Sequence, residues 1–389
     1  MTASTNHQRI YLDHSATTPV DPQVVEAMLP FFTERFGNPS SIHWFGQQAK
    51  VALEDARRQI AALIGAEPGE IVFTAGGTEA DNWAIKGAAY FFEGKKKHII
   101  TALVEHHAVL HSCHRLQKKG FDVTYLPVDQ YGRVAPERVL EAIRNDTCLV
   151  TIMHANNEIG TINPIRDIGA IARERGVLFH SDAVQTVGKL PIHVHDMNVD
   201  LLSLSSHKFY GPKGIGALYI RRGLQIEKLI HGGSQERDRR AGTENLAGAV
   251  ALGKAAEICR KRMADDEGKL RQLSHEFYTK VTQHIPNVHL NGHKTERLPG
   301  ILNLSFDGCA SDSLLQNLDL KGIAVSGGSA CSSGMAEPSH VLSALGLPMN
   351  LAISAVRFSL GRENTSEDMD YTVESLKEIV ERLRGIGRS

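Results

Sequence analysis

The sequence has 389 residues, 42% of them hydrophobic, with 43 basic and 44 acidic residues and a net charge of −1. This composition is typical of a globular protein of two or three lobes, and the near-neutral balance gives no sign of a nucleic-acid or membrane partner. The polar N-terminus MTASTNHQR lacks the apolar core of a signal peptide, and no apolar run is long enough to span a bilayer. We therefore expect a cytoplasmic protein.

Short β-like runs alternate with helical patterns from about residue 21 to residue 254, which predicts an α/β fold with a mostly parallel sheet. The predicted strands are EIVFT, HIITA, CLVTIM, GVLFHSD and VDLLSLSS, and helices are predicted over Gln47–Ile64 and Glu79–Phe91. After about Ala255 a long charged helix leads into the short strands HLNG and GILNLSF and then two more helices. This change predicts a smaller α+β domain, with the larger domain over residues 15–258.

The first candidate site in chain order is FTAGGTEADNWAI, where a strand, a Gly-Gly turn and Thr78 lead into a helix. Backbone N–H groups and the positive end of a helix bind phosphate, so Gly77 and Thr78 are candidate phosphate ligands. Neither dinucleotide spacing nor a Walker lysine follows, so a monophosphate ester fits better than a dinucleotide. Joints of this kind are also common without a ligand.

A histidine-rich run, EHHAVLHSCH, follows the second predicted strand. The His106 ring could stack on a planar cofactor and move protons near neutral pH. His107, His111 and His114 would share one helix face, and histidines at this spacing can bind zinc. Because they lack a carboxylate or thiolate partner, we favour a solvated helix face and predict no metal site.

Asp182 and Lys208 end two successive predicted strands, 26 residues apart. Parallel strands deliver such side chains to the same edge of a sheet, where ligands of α/β proteins bind. A lysine past a buried strand is partly desolvated, which favours Schiff-base chemistry, and a carboxylate can pair with a pyridinium nitrogen. The alternatives are an ordinary loop lysine, as Lys213 should be, and a turn aspartate.

Five scattered cysteines without a CxxC pair argue against a disulfide framework and a thiolate zinc site. Cys113, Cys148 and Cys259 lie in helix or strand patterns and should belong to the core, whereas Cys309 is harder to place. Cys331 stands apart in SGGSACSSG, where glycine and serine favour an exposed loop. It is either a nucleophile, if its pKa is depressed, or an unreactive surface thiol.

Together these segments resemble the cysteine desulfurases of the nitrogen-fixation and housekeeping iron–sulfur type, within the class V aminotransferase group. The resemblance covers nearly the whole chain, from YLDHSATTP to RFSLGR. Its other landmarks are FFTERFGNPSSIH, FTAGGTEADN, VEHHAVL, ANNEIGTINPI, HSDAVQTVGK, SSHKFYGPKG, HGGSQERDRRAGTEN and GSACSSGMAEPSHVLSALG.

The resemblance implies a fold-type I enzyme that binds pyridoxal 5'-phosphate. Lys208 would hold the cofactor covalently, Asp182 would pair with its ring nitrogen and Gln185 with its phenolic oxygen. His106 would stack on the ring and transfer protons, and Asn157 would support the oxygen side of the cofactor. The implied phosphate ligands are Gly77, Thr78, Ser205, His207 and, from the neighbouring subunit of a homodimer, Thr243.

For the substrate, L-cysteine, the resemblance implies that Arg357 binds the carboxylate with Asn38 nearby. Cys331 would accept the sulfur as a persulfide and pass it to an iron–sulfur scaffold or another acceptor protein. The resemblance also places residues 1–14 with residues 259–389 in the smaller domain. A selenocysteine lyase or a cysteine sulfinate desulfinase of the same fold is the alternative.

Two departures from the resemblance stand out. Ser206 replaces a residue that is often glycine in relatives, which is a minor change. The sequence stops at Ser389, whereas longer relatives carry a C-terminal extension that helps to dock a scaffold protein. The sulfur acceptor is therefore left open.

Overall fold

The computed structural model describes residues 9–327 and 338–386 of the chain. Within these residues, no helix combines the length and the apolar character that crossing a membrane requires. All five strands and both helices predicted in the first two-thirds of the chain are confirmed, with the helix bounds shifted by two or three residues.

A seven-stranded sheet forms the larger part of the fold, in the order β2-β8-β7-β6-β5-β3-β4. Only β8 runs antiparallel to its neighbours, so the other six strands point the same way. The strands are β2 (Ile71–Thr74), β3 (His98–Ala102), β4 (Asp122–Leu126), β5 (Thr147–Thr151), β6 (Leu178–Asp182), β7 (Leu201–Ser205) and β8 (Gly216–Ile220).

Helices cover both faces of this sheet, which explains why its strands are almost continuously apolar. In chain order, the helices as far as His284 are α1 (Pro22–Met28), α2 (Pro30–Thr33), α3 (Trp44–Ile64), α4 (Gly77–Phe91), α5 (His107–Gln117), α6 (Pro136–Ala142), α7 (Ile165–Glu174), a short turn α8 (Gln235–Asp238) and α9 (Leu246–His284). Two 3₁₀ turns lie at Pro68–Glu70 and Ser206–Lys208. One core contains Phe73 and Phe179 with residues of α3, α7 and α9, and the opposite core contains Val72 and Leu149 with residues of α4 and α5.

Sequence periodicity accounts for the packing of α3 against α9. Leu53, Ala56, Ile60 and Ile64 recur at helical spacing and are buried along one face of α3. The helix stops at Gly65, whose φ of 67° lies in the left-handed region that favours glycine. This face packs α3 against α9 and into the core on one side of the seven-stranded sheet.

A second, four-stranded antiparallel sheet has the order β12-β13-β10-β9, and a separate parallel pair joins β1 to β11. Its core includes Phe277, Phe306 and Phe358, and Ile10 and Leu12 from the start of the described chain also contribute. The remaining elements are β1 (Ile10–Tyr11), β9 (Val288–Asn291), β10 (Ile301–Phe306), α10 (Ser311–Leu320), β11 (Ile323–Ala324), β12 (Ser326–Gly327), α11 (His340–Ala344), α12 (Met349–Ala352), β13 (Ala355–Ser359) and α13 (Ser366–Ile386).

The predicted division at residues 258 and 259 falls inside the single helix α9. The N-terminal part of α9 packs in the core of the seven-stranded sheet, whereas Leu273 and Phe277 pack in the core of the four-stranded sheet. Val341 and Leu342, predicted to belong to the smaller domain, pack in the larger core. The domain boundaries therefore stay a prediction, and α9 runs through both parts.

A buried ion pair ties α3 to the segment after β8. The Arg57 guanidinium donates to both carboxylate oxygens of Glu236, at 2.7 and 2.9 Å, and to the Ile71 carbonyl at 2.7 Å. Both side chains of the ion pair are only 2% exposed. We expect Arg57→Met to lower the free energy of unfolding by about 3–5 kcal/mol, because the Glu236 carboxylate would stay buried without its cation.

Urea unfolding would measure this loss, with Arg138→Met as the matched control. Arg138 pairs with Glu141 at 3.1 Å on the surface, where both side chains are more than half exposed. Removing that pair should cost less than about 1 kcal/mol. Equal losses in the two variants would contradict a structural role for the buried pair.

Candidate active site

A cavity of about 230 Å³ lies at the carboxyl ends of the strands that run in the same direction. The lining residues come from the segments at the ends of five of these strands. Helix α4 follows β2, His106 follows β3 and Asn157 follows β5, while Asp182 ends β6 and Ser205 ends β7. The lining residues are Gly77, Thr78, Asp81, His106, Met153, Ala155, Asn157, Asp182, Val184, Gln185, Ser205, His207 and Lys208. Nine of the residues singled out in the sequence therefore meet in one pocket.

Lys208 lies in the 3₁₀ turn directly after β7. Its Nζ donates to the carbonyl oxygens of Ser15 at 2.6 Å and Ala16 at 2.8 Å. Burial lowers the pKa of Lys208 to about 8, and the nearby positive charge of Arg357 adds to this effect. A substantial fraction of the amine is therefore neutral near physiological pH, as Schiff-base chemistry requires.

Asp182 is the last residue of β6 and is 5% exposed. Its Oδ1 accepts a hydrogen bond from the Val184 N–H at 2.9 Å. Burial raises the pKa of Asp182, while the positive charges of His106 and Lys208 oppose this shift. The carboxylate would thus gain from a cationic partner inside the pocket.

His106 caps the N-terminus of α5. Its Nδ1 accepts the Ala108 N–H at 3.1 Å, so the neutral ring carries its proton on Nε2. Burial lowers the pKa of His106, although the charge of Asp182 partly compensates. The ring is therefore a neutral group that can take up or release a proton.

Another wall of the pocket is built from the start of α4. Gly76 has φ 155° and ψ −177°, a combination essentially confined to glycine. A Cβ on Gly77 would lie 2.7 Å from Val184 Cγ2, so the backbone approaches the β6–β7 edge closely. Gly77 and Thr78 of the first turn line the pocket together with Ser205, so this part of it is a candidate anion site.

The donor set fits pyridoxal phosphate. Asp81, His106 and Asp182 place one ligand atom each within 4.8 Å of one another, and within the described residues this is the one such group found. Asp81 is buried, and its Oδ1 lies 3.7 Å from His180 Nε2 without a hydrogen-bond partner, so a proton-bearing group in the pocket would satisfy it. A protonated pyridine nitrogen is such a group, the start of α4 suits a phosphate, and Lys208 lines the same pocket.

Several pocket features could not be read from the sequence. The Lys189 Nζ donates to Gln185 Oε1 at 3.1 Å, while Gln185 Nε2 donates to the Ser15 carbonyl at 2.9 Å. Burial, with the charges of Lys208 and Arg357, lowers the pKa of Lys189 to about 7. Asp81, by contrast, had a detectable signal, since it is an acid on the otherwise apolar buried face of α4.

Three predicted site residues do not line the pocket of this chain. Arg357, on β13, is buried and donates to the Asn157 carbonyl at 3.0 Å and to Asp13 at 2.7 Å. Asn38 is exposed and its Oδ1 accepts the Ser40 N–H at 2.9 Å. Thr243 is also exposed. The roles given to these three residues stay predictions.

Cys331 lies outside the described residues. The four described cysteines are unpaired and buried, including Cys309, which the sequence had not placed. Burial raises the pKa of both Cys113 and Cys148 to about 12. Thiols in such surroundings are unreactive.

Comparison with known proteins gives likenesses over almost the full length. The profile of the aminotransferase class-V family matches residues 10–372. The chain is 54% identical over 379 residues to cysteine desulfurase IscS of Dictyoglomus turgidum, covering 97% of this chain and 96% of that protein. It is 54% identical over 383 residues to cysteine desulfurase IscS of Methanosarcina thermophila, covering 98% and 95%. A solved structure of a NifS-like protein has a TM-score of 0.91 at 40% identity, covering 96% of this chain and 100% of that one.

The lowered pKa of Lys208 can be tested on the cofactor-free protein with a small aldehyde, trapped by reduction and located by mass spectrometry. With a pKa of about 8, roughly a tenth of the amine is neutral at pH 7, roughly two hundredfold more than for an ordinary lysine. We expect labelling of Lys208 to rise through pH 8 and then level off. Exposed Lys213 is the internal control, and equal labelling of both lysines at pH 7 would contradict the assignment.

Proposed function

Since the chain belongs to the class-V aminotransferase family and matches cysteine desulfurases over nearly its full length, we infer that it is a pyridoxal-phosphate-dependent cysteine desulfurase. These likenesses confirm the family, the fold class and the cofactor predicted from the sequence. The observation that carries the function is the meeting of Lys208, of lowered pKa, with buried Asp182 in one pocket. The enzyme releases L-alanine from L-cysteine and retains the sulfur.

The bound cofactor supplies an electron sink that acidifies the Cα proton of the substrate. We propose that Lys208 would hold the cofactor and that its Nζ, once free, would move the Cα proton of the substrate. Asp182 would pair with the ring nitrogen of the cofactor and keep it protonated. His106 would stack on the ring and carry protons through Nε2, because its Nδ1 is fixed by Ala108.

Polar residues around the pocket would orient the cofactor. Gln185, itself held by Lys189 and the Ser15 carbonyl, would donate to the phenolic oxygen. Asn157 would support the same side. The phosphate would be bound at the start of α4 by the set Gly77, Thr78, Ser205 and His207, with Thr243 supplied by a second subunit.

Arg357 is proposed to bind the substrate carboxylate, with Asn38 nearby. Its guanidinium lies beside the pocket because it donates to the Asn157 carbonyl. Its Nε is buried and has no hydrogen-bond partner within the described residues. A carboxylate would satisfy this group through a charge-assisted bond.

The sulfur transfer is assigned to Cys331. Its thiolate attacks the substrate sulfur, an S–S bond forms, and the Cβ–S bond breaks with its electron pair left on Cβ. Protonation of Cβ and the return of a proton to Cα complete alanine, and the sulfur stays on Cys331 as a persulfide. The burial of the four described cysteines supports this choice, since an attacking thiol must be accessible.

The acceptor of the persulfide sulfur is proposed to be an iron–sulfur scaffold or another sulfur-acceptor protein. A cytoplasmic location is proposed with it. The four described cysteines are free thiols rather than disulfides, which suits a reducing compartment.

We propose a homodimer, and an exposed aromatic cluster at the start of α3 supports it. Phe36 and Phe45 stack with ring centroids 5.8 Å apart, and Trp44 packs edge-on to Phe45 at 5.1 Å. Phe36 and Trp44 are 63% and 67% exposed, and neighbouring Ile42 is 94% exposed. A contiguous apolar patch of this kind marks an interaction surface.

The role of Cys331 can be tested in a single turnover with L-cysteine. We expect the unmodified enzyme to form alanine and gain one sulfur on the Cys331 peptide, whereas Cys331→Ala binds cysteine but does neither. Amino-acid analysis and mass spectrometry measure the two products. Ser333→Ala, in the same sequence run, is the control and should retain both. Alanine formation by Cys331→Ala at the normal rate would favour a lyase or desulfinase.

The homodimer can be tested by substituting the aromatic cluster. Because charge in an apolar interface is costly, Trp44→Asp should shift the enzyme from dimer to monomer in analytical ultracentrifugation. If Thr243 serves the neighbouring subunit, the monomer should also lose cofactor affinity, at least as much as Thr243→Ala does. Leu320→Asp, at a residue 85% exposed on α10, is the control. An unmodified enzyme that sediments as a monomer would contradict the proposal.

A further inference from the structure

Three histidines from two distant parts of the chain lie together beside the active-site pocket. His107 and His111 are one turn apart on α5, with ring centroids separated by 5.0 Å. His340, the first residue of α11, lies against His107 with a centroid distance of 4.7 Å. Neither the cofactor nor the substrate accounts for this cluster.

The tautomer of His340 is fixed by the backbone. Its Nε2 lies 2.9 Å from the Glu105 carbonyl oxygen, which can only accept, so Nε2 carries the proton. The lone pair is therefore on Nδ1, and no described residue forms a hydrogen bond with that atom. Histidines that bind metals are typically held in this way, with the second ring nitrogen donating to a carbonyl or carboxylate.

We propose that His107, His111 and His340 form a binding site for a borderline divalent metal ion such as Zn²⁺, with water as a fourth ligand. Two histidines at positions i and i+4 of a helix are a known zinc-binding pair, and imidazole is a preferred ligand of zinc, copper and nickel. The ring nitrogens of these three histidines do not all lie within 4.8 Å of one another in this structure. His107 and His111 are exposed, so rotation of their side chains would bring ring nitrogens to roughly 2.1 Å from the ion.

The site is separate from the cofactor pocket, although it is close to it. The rings of His106 and His107 have centroids 6.4 Å apart, and His106 faces the pocket. A bound ion would cross-link α5 to α11. His114 lies one turn further along α5, with its ring 6.4 Å from His111 and 5.4 Å from Tyr125, and it is not part of the site.

Equilibrium dialysis of the holoenzyme against ZnCl₂, followed by metal analysis, tests the site. We expect one Zn²⁺ per chain, and at least about tenfold weaker binding in His111→Ala and in His340→Ala. His114→Ala is the matched control and should bind as the unmodified protein does. Co²⁺ in place of Zn²⁺ should give the visible bands of a tetrahedral site, which His111→Ala should lose.

Cofactor absorbance and circular dichroism would show that each variant is folded. The same titration on Cys331→Ser tests whether a thiol supplies the binding, and we expect unchanged affinity. The proposal is overturned if the unmodified protein binds no zinc, if Cys331→Ser abolishes binding, or if His114→Ala loses as much affinity as His111→Ala. None of these outcomes depends on the desulfurase activity.

Discussion

The parallel pairing of β6 with β7 is the constraint on which the active site depends. Its register sets Asp182 opposite Ser203, so that β6 and β7 end at one edge of the sheet and Lys208 follows close by. The side chain of Asp182 points to the face covered by α4, on which His180 also lies. Because side chains alternate along a strand, a slip of one residue would turn Asp182 to the other face and away from the anion site. The sheet thus fixes the relation between the group that holds the cofactor and the group that tunes it.

Burial then sets the chemistry of these groups. It lowers the pKa of Lys208 and raises the pKa of Asp182, which moves both toward their neutral forms. Asp81 and Glu105 are also buried nearby and their pKa values are raised, again chiefly by burial. A pocket with this many titrating groups held away from water is costly for the fold and is typical of a catalytic site. A cofactor with a basic ring nitrogen and an aldehyde would pair with Asp182 and Lys208.

Residues 13–18 connect the seven-stranded sheet to the four-stranded sheet beside the pocket. The carbonyl oxygens of Ser15 and Ala16 accept from Lys208, and the Thr18 N–H donates to the His207 carbonyl at 2.9 Å. On its other side, His14 lies against β13, where its Nδ1 is 3.0 Å from the Ser359 carbonyl oxygen. Arg357, on the same strand, reaches Asp13 and the Asn157 carbonyl. Movement of one sheet relative to the other would therefore displace Lys208, which is proposed to hold the cofactor, and Arg357, which is proposed to bind the substrate.

The sequence by itself determined the strands and helices of the larger domain, the burial of Cys113, Cys148 and Cys259, and the positions of Asp182 and Lys208 at strand ends, because periodicity and burial are local properties of the chain. Only the tertiary structure placed the carbonyl oxygens of Ser15 and Ala16 on Lys208, and only it brought His340 to His107. It also showed that α9 continues through the predicted division and that Val341 packs in the larger core. A backbone carbonyl has no sequence signature, and contacts between residues hundreds of positions apart depend on the path of the chain.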